Sequence, residues 1–159
     1  MKPGTNSAEI HTGAVQELML NHSMRPDDEY YRQLLQRLPA AIYTTDKNGF
    51  VTMYNPAAAQ LWGREPLIHK DQWCGSWKIF RTDGSELPLD ECPMAITLRE
   101  QKASIGHEII IERPDGTRRH IMPHPQPIFD DAGNMTGAVN MLVDITEQKI
   151  SEKALRDLT

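Results

Sequence analysis

Hydrophobic positions follow two rhythms along this chain, and the switches between them mark its elements. Tyr30, Leu34 and Leu38 recur at i, i+4 and i+8, with Tyr31 and Leu35 beside them, which predicts a helix with one apolar stripe. Pro26-Asp27-Asp28 suits its entry, because acidic residues favour the first turn. Pro39 ends it by forcing the preceding residue out of helical geometry. AAIYTTD (40–46) and FVTMY (50–54) are short β-branched runs, and Lys47-Asn48-Gly49 between them predicts a hairpin. Asn55-Pro56 reads as N-cap and first helical residue, AAAQLW continues the helix, and Gly63 can stop it. From Arg64 to Leu89 no period holds. Asp90-Glu91-Cys92-Pro93 opens a helix with apolar Met94, Ile96 and Leu98, running to about Gln101. Three strand patterns follow: HEIIIER (107–113), the stretch from Thr117 to Phe129, and MTGAVNMLVDIT (135–146). Pro114-Asp115-Gly116 and DDAGN (130–134) supply the turns between them. Pro123, Pro125 and Pro127 imply an edge or a bulged strand end. EQKISEKALRDL returns to a charged helical pattern. This order predicts an α+β domain, an antiparallel sheet covered on one face by helices.

Composition narrows the functional classes. With 159 residues and 39% apolar content, the chain holds one domain with a real core and tails. A formal net charge of -5, with Arg118-Arg119 the only adjacent arginines, argues against a nucleic-acid surface. No apolar run approaches the roughly 20 residues of a membrane helix, and the first residues lack a signal-peptide pattern. Cys74 and Cys92 are too few for a disulfide scaffold, so reduced thiols in the cytoplasm are expected. Residues 1–26 read as a mobile arm with one short apolar patch, Val15 to Leu20; 27–146 read as the domain with its flanking helix, and 147–159 as an exit helix or the start of a coiled-coil linker. No phosphate loop, nucleophile elbow or paired acidic site on a periodic element points to catalysis. Asp83, Asp115 and Asp131 stand in turn contexts that explain them without chemistry.

Three pieces carry a family resemblance: the Asp46–Gly49 hairpin followed by NPAA, the PIFDDAG turn between two long strands, and the DITEQK exit. In this order and spacing they resemble a PAS domain over roughly residues 30–150. The resemblance implies a five-stranded antiparallel sheet of order 2-1-5-4-3 with short helices over one face. It also implies a non-enzymatic sensory or interaction module, of the kind fused to bacterial histidine kinases in two-component systems. The segment from Trp73 to Ala95 is similar to versions found ahead of such kinases.

The resemblance sets the parity of the strands. Tyr43, Thr45, Ile109, Ile111, Ile121, Ala138, Asn140 and Leu142 then face the helices. Trp73 and Trp77 are expected to wall a cavity there. Asn140 is either a ligand contact or an amide bonded to backbone or to Tyr43, and the second is favoured because an inward amide is costly unless its bonds are met. The opposite parity carries Ile42, Thr44, Ile110, Val139, Met141 and Val143, an apolar face that wants a cover. Tyr30, Leu34 and Leu38 are expected to supply it, within one chain or across a homodimer. Ile150, Ala154 and Leu158 line the exit helix.

The same residues bear on cofactor binding. Cys74 follows Gly63 at a spacing that resembles the photoactive cysteine of light-oxygen-voltage proteins, but its WCGSWK context differs. Ile111, Ile121 and Leu142 stand where a flavin would want amides, so a buried thiol is expected. Haem lacks a histidine on the helix before the third strand; His107 is expected inward but at a strand start, with His120 and His124 facing the other way. His120 and His124 have a helical ligand spacing, yet in a strand they would stand about 13 Å apart, which disfavours zinc. No cofactor is expected, with an unknown small ligand left open.

The function expected is that of an input module. A small molecule or partner would bias the sheet, and Asp144, Ile145 and Thr146 would pass the change to the exit helix and a signalling output domain. A ligand-free dimerisation or docking module is the alternative, and a flavin or haem sensor the third.

Overall fold

The computed structural model describes residues 28–158; the expected arm at 1–26 lies outside the described residues. In chain order the elements are α1 (Asp28–Arg37), β1 (Ala41–Asp46), β2 (Val51–Tyr54), α2 (Pro56–Trp62), β3 (Lys78–Phe80), β4 (Glu86–Leu87), α3 (Pro93–Glu100), β5 (Ile109–Glu112), β6 (Arg118–Phe129), β7 (Met135–Asp144) and α4 (Thr146–Asp157). The antiparallel sheet runs β2-β1-β7-β6-β5-β3-β4. The five strands read from the pattern stand in the expected order. Two short ones, β3 and β4, extend the sheet beyond β5 from the stretch where no period held.

The turns explain how so short a sequence reverses so often. Asp46 Oδ1 accepts the amides of Asn48 (2.9 Å) and Phe50 (3.0 Å), and Gly49 takes φ +89°. Asp130 does the same for Ala132 and Asn134, with Gly133 at φ +85°. Each carboxylate holds amides that would otherwise go unpaired, and each glycine takes the left-handed residue of the turn.

The three prolines fall inside the sheet order yet obey edge chemistry. His120 O accepts from Ile145 N on the β7 side, so the odd-numbered residues of β6 direct their backbone polar groups away from β7. The β5 ladder stops at the Ile109–Ile121 pair. Beyond it, Pro123, Pro125 and Pro127 place their missing donors where no strand asks for them, and Pro125 O accepts from Ser104 N (3.4 Å).

Two apolar layers flank the sheet. Tyr43, Ile79, Ile109, Ile111, Ile121, Ala138 and Leu142 pack with α2, α3, Cys74 and Cys92. On the other face, Leu35 buries against Ile42, Ile128 and Val139, with Leu38, Met53 and Met141 at the margin. The cover therefore comes from α1 of the same chain, but the expected stripe is rotated: Tyr30 is 64% exposed and Leu34 37%, against 4% for Leu35. The crossing of α1 over the strands brings Leu35 rather than Leu34 to the sheet. Val143, expected in this layer, is 39% exposed near the end of β7. Leu35→Ala should cost about 2–3 kcal/mol in urea unfolding and Leu34→Ala below about 1 kcal/mol, the reverse of what the expected stripe would give.

Candidate functional site

The space between sheet and helices is where a ligand would lie, and its walls come from the middle of the sheet and the mouths of two loops. Tyr43, Trp62, Cys74, Cys92, Met94, Ile109, Ile111, Asn140 and Leu142 are among the residues around it. The cavity they leave measures about 10 Å³, at most room for one water.

The Asn140 amide and the Tyr43 hydroxyl beside it are both paired. Asn140 Oδ1 accepts from His124 N (2.9 Å), and Asn140 Nδ2 donates to the Tyr43 hydroxyl (3.2 Å). Tyr43 Oη donates in turn to the Trp73 carbonyl (2.8 Å). Burial and the two neighbouring thiols push the Tyr43 hydroxyl well above its ordinary value, partly offset by Asn140, so it remains a donor. The amide singled out in the sequence is thus bonded to both partners expected of it, backbone and Tyr43.

The two loop tryptophans do not wall the cavity. Trp77 is 46% exposed, with the Lys78 ammonium 4.8 Å from its ring centre. Trp77 stands just before β3 and outside its alternation, whereas Ile79 within the strand is buried. Trp73 contributes its carbonyl; its ring lies over Gly49, where a Cβ would collide with it. Trp73 takes φ +74°, an unusual backbone for a bulky residue, held by its amide on Gly49 O (2.6 Å). The tryptophan that does fill the site is Trp62, 1% exposed and edge-on to Tyr43 at 5.1 Å between centroids. Nothing in its pattern distinguished it from a helix-end residue. Thr45 and Ile121 are buried in the same layer without bordering the cavity. His107 is exposed rather than inward.

The sequence also hid the meeting of Cys74 and Cys92. Cys92 is the N-cap of α3, its sulfur accepting from Ala95 N (3.5 Å), so the expected helix entry at Asp90 shifts to Pro93 after a 3-10 turn. The same cap-proline pattern at Asn55-Pro56 was the available signal.

The exit is built by the side chains of Asp144 and Thr146. Asp144 Oδ1 accepts from Thr146 N (2.9 Å) and from the Thr146 hydroxyl (2.6 Å), while its Oδ2 accepts from Arg119 Nε (2.7 Å). Thr146 Oγ1 accepts from His120 N (2.9 Å), and Ile145 N donates to His120 O (2.8 Å). Lys149 Nζ reaches Glu108 at 2.8 Å, so the first turn of α4 is fastened to the ends of β5 and β6. Beyond that turn Ile150, Leu155 and Leu158 are exposed. Burial raises the Asp144 pKa, but Thr146 and Arg119 together outweigh it and hold the carboxyl below its ordinary value. A depressed folded pKa stabilises the fold above the unfolded value near 3.9 and is lost as pH falls through the folded value. Asp144→Ala should therefore cost about 1–2 kcal/mol at neutral pH and less in acid, once the carboxyl is protonated in both states, read by urea unfolding at both. Partial exposure of the pair keeps the pH-dependent share under about 1 kcal/mol.

A family model described as a PAS domain matches residues 39–147. The chain belongs to the PAS domain family. Its fold is shared by the PAS domain of a Colwellia psychrerythraea protein (TM-score 0.53, 21% identity, 77% of this chain and 99% of that one). The PAS domain of the fruit-fly ELK potassium channel gives TM-score 0.57 at 12% identity, covering 77% of this chain and 99% of that one. A sensory box histidine kinase/response regulator from Burkholderia thailandensis gives 0.50 at 19%, covering 82% and 93%. At these identities the likeness is one of fold. No curated protein sequence matches the chain. Among the described residues no helix is long and apolar enough to cross a membrane.

Proposed function

We propose that this PAS domain is a signalling module that works with a filled core, taking its input by docking or homodimerisation rather than by enclosing a small molecule. The observation that carries this reading is the closed interior: about 10 Å³ remains, and Asn140, Tyr43 and the Trp73 carbonyl occupy one another. A small-molecule site in this fold would need on the order of 300 Å³ or more and polar groups left open to the ligand. The two terminal helices favour a second copy as the docking partner. Tyr30 and Leu34 on α1, and Ile150, Leu155 and Leu158 on α4, leave apolar side chains at solvent on both flanks.

In this reading the chain is a non-enzymatic, cofactor-free cytoplasmic module. Asp144, Ile145 and Thr146 couple β7 to α4, and α4 hands the change to an output domain. Native mass spectrometry of purified protein, with a visible absorption spectrum, tests it. A dimer whose mass is twice the chain and a colourless sample are expected. A retained small molecule, flavin or haem would overturn the filled-core reading, and a strictly monomeric protein would overturn the homodimer.

A further inference from the structure

A groove opens on the surface where β7 leaves the sheet, and none of the described residues fills it. Its volume is about 630 Å³, within the range of a small-ligand site, yet it is open to solvent and lies outside the closed interior. Apolar residues reach it from three directions: Pro39 and Ala41 where α1 passes into β1, Ala57 and Leu61 on α2, and Leu142 and Val143 on β7. Two charged residues stand among them, Arg113 and Asp144. Asp144 is already paired with Arg119 (2.7 Å). Arg113 donates to the Leu61 carbonyl (2.9 Å) and to Thr117 Oγ1 (3.4 Å). It forms no ion pair among the described residues, and its charge acts on Asp115 only through space.

The chain carries an apolar segment of matching character outside the described residues. Val15, Leu18, Met19 and Leu20 fall within AVQELML (14–20), in the arm that precedes α1. Val15, Leu18 and Met19 stand at i, i+3 and i+4, the spacing that puts three side chains on one side of a helical turn. Glu17 is the one charged residue in that run. A lone carboxylate among apolar side chains complements an apolar groove that holds one uncommitted guanidinium. Residues 21–27 join the segment to Asp28. Fully extended, the chain from Leu20 to Asp28 spans about 26–29 Å, whereas α1, whose far end leads to Pro39, is about 15 Å long. The tether therefore reaches the groove of its own chain. So short a link holds the segment at an effective concentration on the order of millimolar, which favours it over the arm of a second copy.

We infer that residues 14–20 dock in this groove within the same chain, with Val15, Leu18 and Met19 against its apolar wall and Glu17 on Arg113. The docked arm covers Met141 to Asp144, the end of β7 before α4. It closes a surface that a partner would otherwise meet. It also braces the strand end whose Asp144 holds the first turn of α4. Release of the arm gives up both at once, so the arm is a built-in competitor for docking beside the exit. The inference goes beyond the filled-core reading and does not rest on it, since the groove lies outside the interior.

The test uses the full chain, isotope-labelled for amide NMR and carrying a nitroxide on Gln16→Cys. Gln16 lies off the apolar side of the turn, and Cys74 and Cys92 are buried, so the nitroxide goes to the new thiol. With the nitroxide active rather than reduced, the amide signals of Ala57, Gln60 and Val143 should at least halve. Those of Ala132 and Gly133, about 30 Å along β7 from Asp144, should keep their intensity. Leu18→Asp in the same chain should restore the groove signals, and Glu17→Lys should restore part of them. When isotope-labelled chains without nitroxide are mixed with unlabelled chains that carry it, the groove signals should stay intact. Undiminished groove signals in the first sample, or a loss that survives Leu18→Asp or ignores Glu17→Lys, would each overturn the inference. So would a loss in the mixture, which would place the arm of a second copy in the groove. Gln16, Glu17 and Leu18 all lie outside the elements of the fold, and the first sample is decisive even without the variants.

Discussion

Asn55→Ala should destabilise this domain by roughly 3–4 kcal/mol, a large share of the total stability of a domain this size. Asn55 is fully buried. Its Oδ1 accepts from Ala58 N (3.0 Å), capping α2, and also from Ile42 N (3.0 Å) in β1. Its Nδ2 donates to the Ala40 carbonyl (2.6 Å) and lies 3.4 Å from the carbonyls of Leu35 and Leu38. One amide thus ties the end of α1, the start of β1 and the start of α2 together. Loss of a cap alone costs about 1 kcal/mol. Here truncation also leaves Ile42 N unmet in a buried layer, at about 1–3 kcal/mol, and removes the donor from the half-buried Ala40 carbonyl. Asn55→Ser should return about 1 kcal/mol, since a hydroxyl can cap but cannot reach β1 as well. Urea unfolding of the three proteins checks the ranking. Equal midpoints for Asn55→Ala and Asn55→Ser would mean that the cap is all that matters.

Asn55 also shows how far the sequence could be read. Its role as N-cap follows from local chemistry, because the proline after it has no amide to spare and the helix pattern starts there. Its bonds to Ile42 and Ala40 depend on how α1 and β1 come to lie beside α2, which no local pattern encodes. The same division runs through the molecule. The strands from Ala41 to Tyr54 and from Ile109 to Asp144 were legible because their apolar residues alternate between two buried faces. Asp144 and Thr146 were legible because a short carboxylate two residues before a helix start makes the same local turn wherever it occurs. The stretch from Arg64 to Leu89 was not. Its residues 67–73 are held against β2 by backbone bonds such as His69 N to Val51 O (2.8 Å) and Val51 N to Asp71 O (2.9 Å), which leave no period in the side chains. Trp73 and Trp77 lie in it, and so their inward or outward directions could not be read; Cys74, expected as a buried thiol, is 8% exposed. The rotation of α1 from Leu34 to Leu35 has a similar origin. Both residues belong to one broad stripe, and which of them meets the sheet depends on the crossing of helix over strand.

β7 joins these threads. Asn140 and Leu142 border the cavity, Val139 and Met141 meet the layer under α1, and Asp144 holds the first turn of α4. A change on either face of the sheet reaches this strand without passing through another element. The two faces do not offer equal leverage. The inner one is closed by well-packed side chains, so displacing anything there is costly. Among the described residues, the outer one is covered by the ten-residue α1, whose neighbouring apolar residues face solvent. Rearrangement of α1 against a partner is the cheaper way to move Val139 and Met141, which favours docking as the input.

Opening the inner face by mutation separates the two possibilities. Trp62→Ala should cost about 3–5 kcal/mol, because an indole fully buried between Tyr43 and Tyr54 leaves a void that its neighbours cannot fill. Gly75 is already pressed against the Trp62 ring, so a Cβ there would collide with it, and backbone on that side has little slack to collapse inward. Trp62→Phe should cost far less than usual for such a change, about 1–2 kcal/mol, since Trp62 Nε1 has no hydrogen-bond partner among the described residues to lose. The cavity in Trp62→Ala would be apolar on most sides and would take a small aromatic molecule. Saturating indole should raise its thermal midpoint by several degrees, as any ligand selective for the folded state must. Under the filled-core reading, the same indole leaves the wild-type midpoint unchanged. If indole stabilised the wild-type chain as strongly as Trp62→Ala, the interior would open on its own, and small-molecule input would regain its place as the leading mechanism.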